Sequence, residues 1–305
     1  MLSAIPAGQA QDPAQARAAM LKSAWRELRP RATGPVFTEE PLVTPPYRAG
    51  KLSEAHLQDA LNQVRFVRRV AGVPDDVGLD PELTASAQHG AVLLARLNSL
   101  DHDPARPGDM ATDFFDRAKR ACGSSNLALG PTKPADAIHL FMGDTGVSSL
   151  GHRRWILNWR MGKTGFGFAK NRVPVTLMAV FDASRPKADV AAFTAWPAPT
   201  AFPIEWFDAQ MDWSVDLAPA YFEPPDPVRL RVTAVRERDN QRWVFRLGAG
   251  LRVTPDGFGN GRGVAFRVPT SPKADESWRV ALEGLRRRDG TLSNLYYTTR
   301  FFRLN

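Results

Sequence analysis

The hydrophobic period of the chain changes near its middle, and this change limits what the chain can fold into. Before residue 183 the apolar residues recur at helical spacing, as at Leu57, Leu61 and Val64. After Pro203 they alternate with polar residues, as in Val228–Val232, where the apolar side chains would face a core and the arginines would face water. Helices clustered first and strands afterwards indicate an α+β fold rather than alternating βαβ units.

Changes in composition divide the 305 residues into segments, and this length suits two domains. Stretches rich in proline mark the boundaries. The predicted segments are an N-terminal helix with a proline-rich strap at residues 1–50, a helix-rich domain at 51–185, a linker rich in proline and alanine at 186–203, and a small antiparallel, immunoglobulin-like β-sandwich at 204–305.

Residues that favour helix starts and turns locate the elements of the first half. Asp12, Ser53 and Asp80 are the predicted N-caps, and a proline follows the first and the last of them. Further predictions are helices at residues 109–121 and 134–142, a hairpin at 163–181, a turn at Gly123–Ala128 and a bend at Gly151–Asn158.

The chain is basic, with 40 lysines and arginines, 32 aspartates and glutamates and a formal net charge of +8. A basic balance is typical of proteins that bind nucleic acid. Here, however, the arginines are spread along the whole chain among acidic residues, and no zinc-finger, RRM or helix-turn-helix pattern occurs. We therefore expect no nucleic-acid partner. No apolar run approaches the roughly 18 residues of a membrane-spanning helix, so we also expect no transmembrane segment.

The first eleven residues carry part of the signature of an exported protein. Gly8 and Ala10 resemble the small-residue tail of a signal peptide, whereas its basic and apolar regions are absent or truncated in Met1–Gln11. We expect an extracellular or periplasmic protein. A single cysteine, Cys122, excludes an internal disulfide framework, and its apolar neighbours predict a buried, inert thiol.

Polar residues that suit a ligand site fall at the ends of predicted elements: His102, Ser125 with Asn126, Asp144 and His152. Two imidazoles and a carboxylate form a ligand set that zinc accepts, with a fourth position open to water or a ligand. The alternative is that His152 is a structural histidine with satisfied hydrogen bonds. His139 competes as a ligand, but it lies between two apolar residues of a predicted helix, which favours packing.

The order of these residues resembles that of the CAP superfamily, which comprises the cysteine-rich secretory, antigen 5 and pathogenesis-related-1 proteins, in a bacterial, cysteine-poor version. The resemblance covers residues 53–185. The segments that carry it are Leu61–Arg65, Asp80–Leu97, His102, Ser125–Gly130, Phe141–Asp144, Gly151–Asn158 and Gly165–Gly167. This resemblance implies an α-β-α sandwich with a cleft that holds two histidines and two acidic residues.

The resemblance also assigns a role to individual residues. His102 and His152 match the two histidines and Asp144 matches one acidic position, so the resemblance implies these three as ligands of zinc or another divalent cation. Ser125 stands where the family motif Gly-Glu-Asn-[Ile/Leu]-Ala has its glutamate. A serine carries no negative charge at neutral pH, so we expect weaker metal binding and no demanding chemistry. The residues expected to line the cleft are Ser125, Asn126, His139 and Arg153.

These observations favour an exported binding module that is not an enzyme. CAP-like proteins are associated with binding sterols, lipids or other proteins, and the ligand classes expected here are lipids, glycans and proteins. Two alternatives stay open. One is a metal-dependent hydrolase, in which a cation held by His102 and His152 activates a water and Asp144 accepts its proton. The other is an adhesion or glycan-binding module that works through the β-sandwich.

Overall fold

The computed structural model describes residues 12–185 and 191–305. The helices are α1 (Pro13–Leu28), α2 (Glu54–Ala71), α3 (Pro81–Leu97), α4 (Thr112–Gly123), α5 (Pro134–Gly143) and α6 (Gly151–Ile156). Across these two ranges, every helix lacks the length or the hydropathy that crossing a membrane requires.

The strands show that both secondary-structure types are present, as the hydrophobic periods predict. Those of the first half are β1 (Phe37–Glu39), β2 (Lys51–Leu52), β3 (Gly78–Leu79), β4 (Ser125–Leu129), β5 (Lys163–Thr164), β6 (Phe166–Lys170) and β7 (Pro174–Ala179). Those of the second half are β8 (Phe193–Trp196), β9 (Thr200–Pro203), β10 (Trp213–Leu217), β11 (Arg231–Arg236), β12 (Gln241–Leu247), β13 (Gly250–Val253), β14 (Gly263–Phe266), β15 (Ser277–Arg286) and β16 (Leu292–Phe302). The fold class is therefore α+β.

The starts of three helices confirm the predicted caps. Asp12, Ser53 and Asp80 each precede a helix, and each side-chain oxygen accepts a hydrogen bond from a backbone N–H of the first turn. This bond satisfies an N–H group that the start of a helix leaves without a partner. The end of α2 is equally regular, because Gly72 adopts a left-handed conformation with a φ of 74°.

A three-stranded antiparallel sheet in the order β4-β7-β6 lies at the centre of the first half. Leu177 of β7 belongs to a buried cluster with residues of α3 and α4. The next residue, Met178, belongs to a different cluster with residues of α2 and α5. Since successive residues of a strand point to opposite faces, helices cover both faces of this sheet.

Gly165 and Gly167 allow α3 to lie directly on the sheet. A Cβ atom at Gly165 would overlap the backbone of Thr84, and a Cβ atom at Gly167 would overlap the backbone of Ala87. Glycine is the residue that permits so close an approach between a strand and another backbone. The Gly-Phe-Gly segment is therefore a packing feature of the fold.

A curled sheet dominates the second half. Within the described residues it has nine strands, in the order β8-β10-β14-β13-β12-β11-β15-β16-β9. The ring centroid of Trp213 on β10 lies 5.6 Å from that of Trp278 on β15 and 6.0 Å from that of Phe301 on β16. Because these strands are far apart in the order of the sheet, the sheet curls until its two ends face each other across an aromatic core.

Part of the segment predicted as a linker belongs to this sheet, which corrects the prediction. β8 and β9 lie within residues 186–203 and occupy the two ends of the strand order, while residues 186–190 lie outside the described residues. Pro197 and Pro199 sit in the connection between these strands. Proline has no backbone N–H to donate and is accepted at sheet edges, so a proline-rich sequence still forms edge strands.

The sheet also differs from the purely antiparallel arrangement that was predicted. β9 pairs with β16 in parallel, and β13 pairs with β12 in parallel. β9 lies in the segment predicted as a linker, and both β9 and β13 are only four residues long. A strand of this length contains few alternations between apolar and polar residues, so the alternating pattern is weak.

Two short segments near the candidate site form regular structure where irregular structure was predicted. Ser125–Leu129 is strand β4 rather than a turn, because it pairs with β7 along its whole length. Gly151–Ile156 is helix α6 rather than a bend, and it follows Leu150, whose φ of 51° is left-handed. In β4 a tertiary pairing overrides the local preference of serine and asparagine for turns.

Candidate functional site

A cavity of about 290 Å³ is lined mostly by residues of the helical half of the chain, together with Phe258 from the second half. β4, α6 and the loop that joins β13 to β14 each contribute to its wall. The polar side chains that line it are those of His102, Ser125, Asn126, Ser149 and His152. We call this space the histidine cavity, because the two histidines that the sequence singles out both face it.

The hydrogen bond of His102 fixes which nitrogen of its ring remains free. The Nδ1 atom lies 2.8 Å from the carbonyl oxygen of Cys122, at the end of α4. A carbonyl oxygen only accepts hydrogen bonds, so Nδ1 carries the proton and donates it. In the neutral imidazole the Nε2 atom is then an acceptor with a free lone pair.

His152 is held in the same tautomer by a different partner. It lies at the second position of α6, and its Nδ1 atom donates to Oδ1 of Asp144 at 2.7 Å. The side chain of His152 is 25% exposed, whereas that of Asp144 is 0% exposed. When the imidazole of His152 is neutral, its Nε2 atom is therefore also an acceptor, and a buried carboxylate orients the ring.

Asp144 has a supporting position rather than that of a third metal ligand. It follows α5 with a left-handed φ of 51°, which turns its side chain toward α6. Its Oδ1 accepts from the ring of His152, and its Oδ2 accepts from the backbone N–H of Arg153 at 3.2 Å. Both oxygens accept hydrogen bonds inside the protein and the side chain is 0% exposed, so Asp144 meets the cavity only through the ring of His152.

Ser125 and Asn126 stand next to each other on β4 but have different contacts. The Nδ2 atom of Asn126 donates to the backbone carbonyl of His152 at 3.0 Å and so ties β4 to α6. Ser125 is only 4% exposed, and its Oγ has no hydrogen-bond partner among the described residues. A buried hydroxyl without a partner is costly, which makes Ser125 a group that an occupant of the cavity would satisfy.

Arg153 does not line the cavity, contrary to the prediction. Its guanidinium is buried and donates to the carbonyl oxygens of Met142 at 2.6 Å, Gly143 at 3.1 Å and Asp212 at 2.8 Å. It also donates to Oγ of Ser214 at 3.0 Å. Burial lowers the pKa of Arg153 to about 10, which still leaves it charged at neutral pH. Arg153 therefore joins α5 and α6 to the curled sheet.

Arg154 makes a second buried connection to the sheet. Its Nε lies 3.0 Å from Oδ1 of Asp216 on β10, and both side chains are almost fully buried. It also donates to the carbonyl oxygens of Pro255, at 2.9 Å, and Gly261. These two carbonyls bracket the loop that reaches the histidine cavity, so Arg154 fixes that loop against α6.

His139 lies away from the cavity, so its predicted place in the cleft is corrected. Its ring centroid is 5.1 Å from that of Trp206, just after β9. Burial lowers the pKa of His139 below the ordinary histidine value. Its position between apolar neighbours on α5 thus leads to packing, which is the alternative that the sequence favours.

Three aromatic residues, none of them predicted as site residues, form the apolar wall of the cavity. The ring centroid of Trp155 lies 4.5 Å from that of Phe181 and 6.3 Å from that of Phe258. A Cβ atom on Gly151 would lie 2.7 Å from the ring of Phe258, so that glycine makes room for it. Trp155 follows His152 by three positions, a spacing that on a helix would have indicated a shared face.

The donor set fits a metal ion only in part. Two Nε2 lone pairs suit a divalent cation. However, residues 12–185 and 191–305 contain no group of three or more His, Cys, Asp or Glu side chains that could hold a metal ion. Zinc sites ordinarily have three or four protein ligands. The residues present therefore do not fit a zinc centre held by protein side chains alone.

Comparison with known proteins adds no assignment. No protein-family model matches the chain, and no curated protein matches it significantly.

Proposed function

We propose that this chain is a CAP-like binding protein, without catalytic activity, whose ligand occupies the histidine cavity. The observation that carries the proposal is the pair formed by His102 and His152. They lie in different parts of the chain, line one cavity and each have Nδ1 bound by protein, so that each offers Nε2 to an occupant. The helices on both faces of the three-stranded sheet support the α-β-α arrangement that the family resemblance implies.

The chemistry of the wall supports binding rather than hydrolysis. Among the described residues that line the cavity none is acidic, and Ser125 takes the place of the glutamate expected there. A hydrolase of the kind considered above needs a carboxylate that accepts a proton from water. Asp144 is engaged with His152 and Arg153 instead.

A divalent cation is the competing occupant of the same site. His102 and His152 would hold it, and waters or a ligand would have to complete its coordination, so we expect weak binding. Its chemical contribution would be to polarise a ligand oxygen. The carbonyl of Cys122 and the carboxylate of Asp144 would position the two imidazoles.

A titration with zinc chloride and calorimetric detection tests the shared site. The intact protein should bind one equivalent weakly, and the double variant H102A/H152A should lose this binding. His139→Ala is the matched control, because it removes a histidine that lies outside the cavity. Zinc binding that is equal in the double variant and the wild type would remove the metal from the proposal.

A hydrolase screen with and without a chelator tests the absence of catalysis. We expect no turnover of ester, amide or glycoside substrates that depends on His152. A rate that falls upon His152→Ala and is restored by zinc would contradict the non-catalytic assignment.

A further inference from the structure

We infer that the histidine cavity takes one neutral, hydroxyl-bearing ring, of the size and chemistry of a single sugar unit, an inference that rests on the proposed function and names its ligand class. The polar residues of the wall select hydroxyl groups of the ligand. The aromatic residues cover the face of the ligand ring, and Phe258 limits the size of the ligand. Each of these three features has its own support.

The polar wall offers two hydrogen-bond acceptors, the imidazoles, and one hydroxyl donor, that of Ser125. His102 and His152 have their Nδ1 protons bound by Cys122 and Asp144, so each neutral ring presents only an acceptor to the cavity. Ser125 lines the cavity, and its buried hydroxyl has no partner among the described residues. A ligand hydroxyl donates to an imidazole and accepts from a serine at the same time, so a ring that carries neighbouring hydroxyls satisfies all three groups.

Charged ligands fit this wall less well. An anion needs donors, but no lysine or arginine is among the described residues that line the cavity. The nearby guanidinium of Arg154 lies over the ring of Phe258 at 5.5 Å and donates to protein acceptors. An organic cation would meet no carboxylate there, because no acidic side chain is among the described residues that line the cavity. A neutral ligand is therefore favoured.

The aromatic wall consists of Trp155, Phe181 and Phe258. It provides an apolar surface against which the C–H face of a sugar ring packs. Trp155 and Phe181 pack against each other at 4.5 Å, and Phe258 lies beside Trp155 at 6.3 Å. Ligand sites commonly combine such apolar surface with a few convergent polar groups. The volume of about 290 Å³ is at the small end of such sites and accommodates one ring.

Phe258 makes the second half of the chain a part of the site. Its loop is held on both sides: Arg154 binds the carbonyls of Pro255 and Gly261, and Asn260 donates to the carbonyl of Leu157 at 2.6 Å. Because these contacts fix the loop on α6, the ring of Phe258 has a defined position over Gly151. Phe258 is therefore the residue that sets the size limit of the ligand.

Saturation-transfer NMR on the full chain, with EDTA present to exclude metal ions, tests this inference. The probes are methyl glycosides of glucose, galactose, mannose and N-acetylglucosamine, with inorganic phosphate and tetramethylammonium chloride as the anion and cation probes. At least one glycoside should bind saturably at millimolar concentration or below, and neither ion should bind at the cavity. Binding of either ion that H152A abolishes would overturn the inference.

Two serine variants locate the binding. Ser125→Ala removes the hydroxyl without a partner and should weaken glycoside binding roughly five- to tenfold, as expected for one hydrogen bond. Ser124→Ala is the matched control, because its hydroxyl donates to the carbonyl of Arg120 and does not line the cavity. Phe258→Ala should admit glycosides of two rings that the wild type rejects.

The outcomes separate the ligand class from the proposed function. Zinc binding that depends on both histidines, without any glycoside binding, overturns the sugar inference and leaves the binding site in place. Glycoside binding that S125A and H152A leave unchanged overturns it too, because the sugar then binds elsewhere. Absence of both zinc and glycoside binding overturns the sugar inference and also removes the metal from the proposed function.

Discussion

The imidazole of His152 donates from Nδ1 to the fully buried carboxylate of Asp144, across 2.7 Å. This bond joins the end of α5 to the start of α6 and settles which nitrogen of His152 faces the histidine cavity. The second oxygen of Asp144 binds the backbone of the next residue, Arg153. The orientation of the ring is therefore a consequence of how two helices meet.

Asp144→Asn tests this orientation. The amide keeps one acceptor but presents an NH₂ group either to the ring of His152 or to the backbone N–H of Arg153, so either the ring changes tautomer or one buried donor is left unpaired. We expect a loss of about 1–3 kcal/mol in the free energy of unfolding, and a roughly 10- to 100-fold loss in affinity for any ligand of Nε2, the range seen when an orienting partner is removed. Imidazole ¹⁵N NMR should show a mixture of tautomers for His152 and an unchanged tautomer for His102. A single, wild-type tautomer in the variant would contradict this role of Asp144.

Arg154→Met tests the buried connection between α6 and the curled sheet. It leaves Asp216 without its closest guanidinium, so we expect a loss of about 3–5 kcal/mol in the free energy of unfolding. Urea unfolding followed by fluorescence measures this loss. The double variant R154M/D216N removes both charges and should recover part of it; a double variant less stable than R154M alone would argue against an uncompensated charge as the cause.

The free energy of unfolding that is lost in R154M should also depend on pH, in a direction that the pKa of Asp216 sets. Burial raises the pKa of Asp216 to about 6 in the folded protein, while Arg154 and Arg153 oppose the rise. A carboxyl whose pKa is raised by folding destabilises the fold as pH rises from the unfolded value of about 3.9 up to the folded value, because its charged form is the unfavourable one. Removal of Arg154 strengthens this effect. The stability lost in R154M should therefore be larger above pH ~6 than below it, and a loss that is independent of pH would contradict the account.

The burial of His139 should give a second pH dependence of the stability, opposite in direction to that of Asp216. Burial beside Trp206 lowers its pKa in the folded chain, so the unfolded chain binds the proton more readily. Stability should then fall as pH drops below about 6.5, the ordinary histidine value. His139→Gln should flatten this part of the profile. His89, whose pKa burial also lowers, is unchanged in the variant and accounts for the slope that remains; profiles that coincide for both proteins would show that His139 contributes nothing.

Gly167→Ala tests the close contact between α3 and the sheet. The new methyl group would overlap the backbone of Ala87, so either the helix or the strand must move. We expect a loss of about 1–3 kcal/mol or more in the free energy of unfolding, as for an overpacked core. Gly108→Ala is the control, because a Cβ atom there meets nothing within 4 Å, and its effect should stay within about 0.5 kcal/mol. Equal effects of the two substitutions would contradict the packing role of Gly167.

The helices could be predicted because their signals are local. Asp12, Ser53 and Asp80 cap their helices through N–H groups only two or three residues away. Alternation within a segment likewise indicates most strands of the curled sheet, but not β8 and β9, which lie in the segment predicted as a linker. In contrast, β4 depends on its pairing with β7, about fifty residues further along the chain, and nothing within Ser125–Leu129 indicates that partner.

Residues of the candidate site could be predicted only where the side chain itself is a metal ligand or a catalytic group, as histidine is. The sequence singles out His102 and His152 as histidines at element ends, and both line the cavity. The sequence does not distinguish a carboxylate that binds a ligand from one that orients a histidine. The role of Asp144 therefore follows only from the three-dimensional structure. Phe258 was missed because it lies more than a hundred residues from His152 and reaches the cavity through the fold of the second half.

The most direct test of the central claim is a titration of the full chain with zinc chloride, observed by ¹⁵N NMR of the imidazole rings. If His102 and His152 share one site, their Nε2 signals should shift along a single common saturation curve, and His102→Ala should weaken the response of His152. If the two rings saturate at different zinc concentrations, or if His152 responds equally in the H102A variant, the histidines do not form one site and the account is wrong.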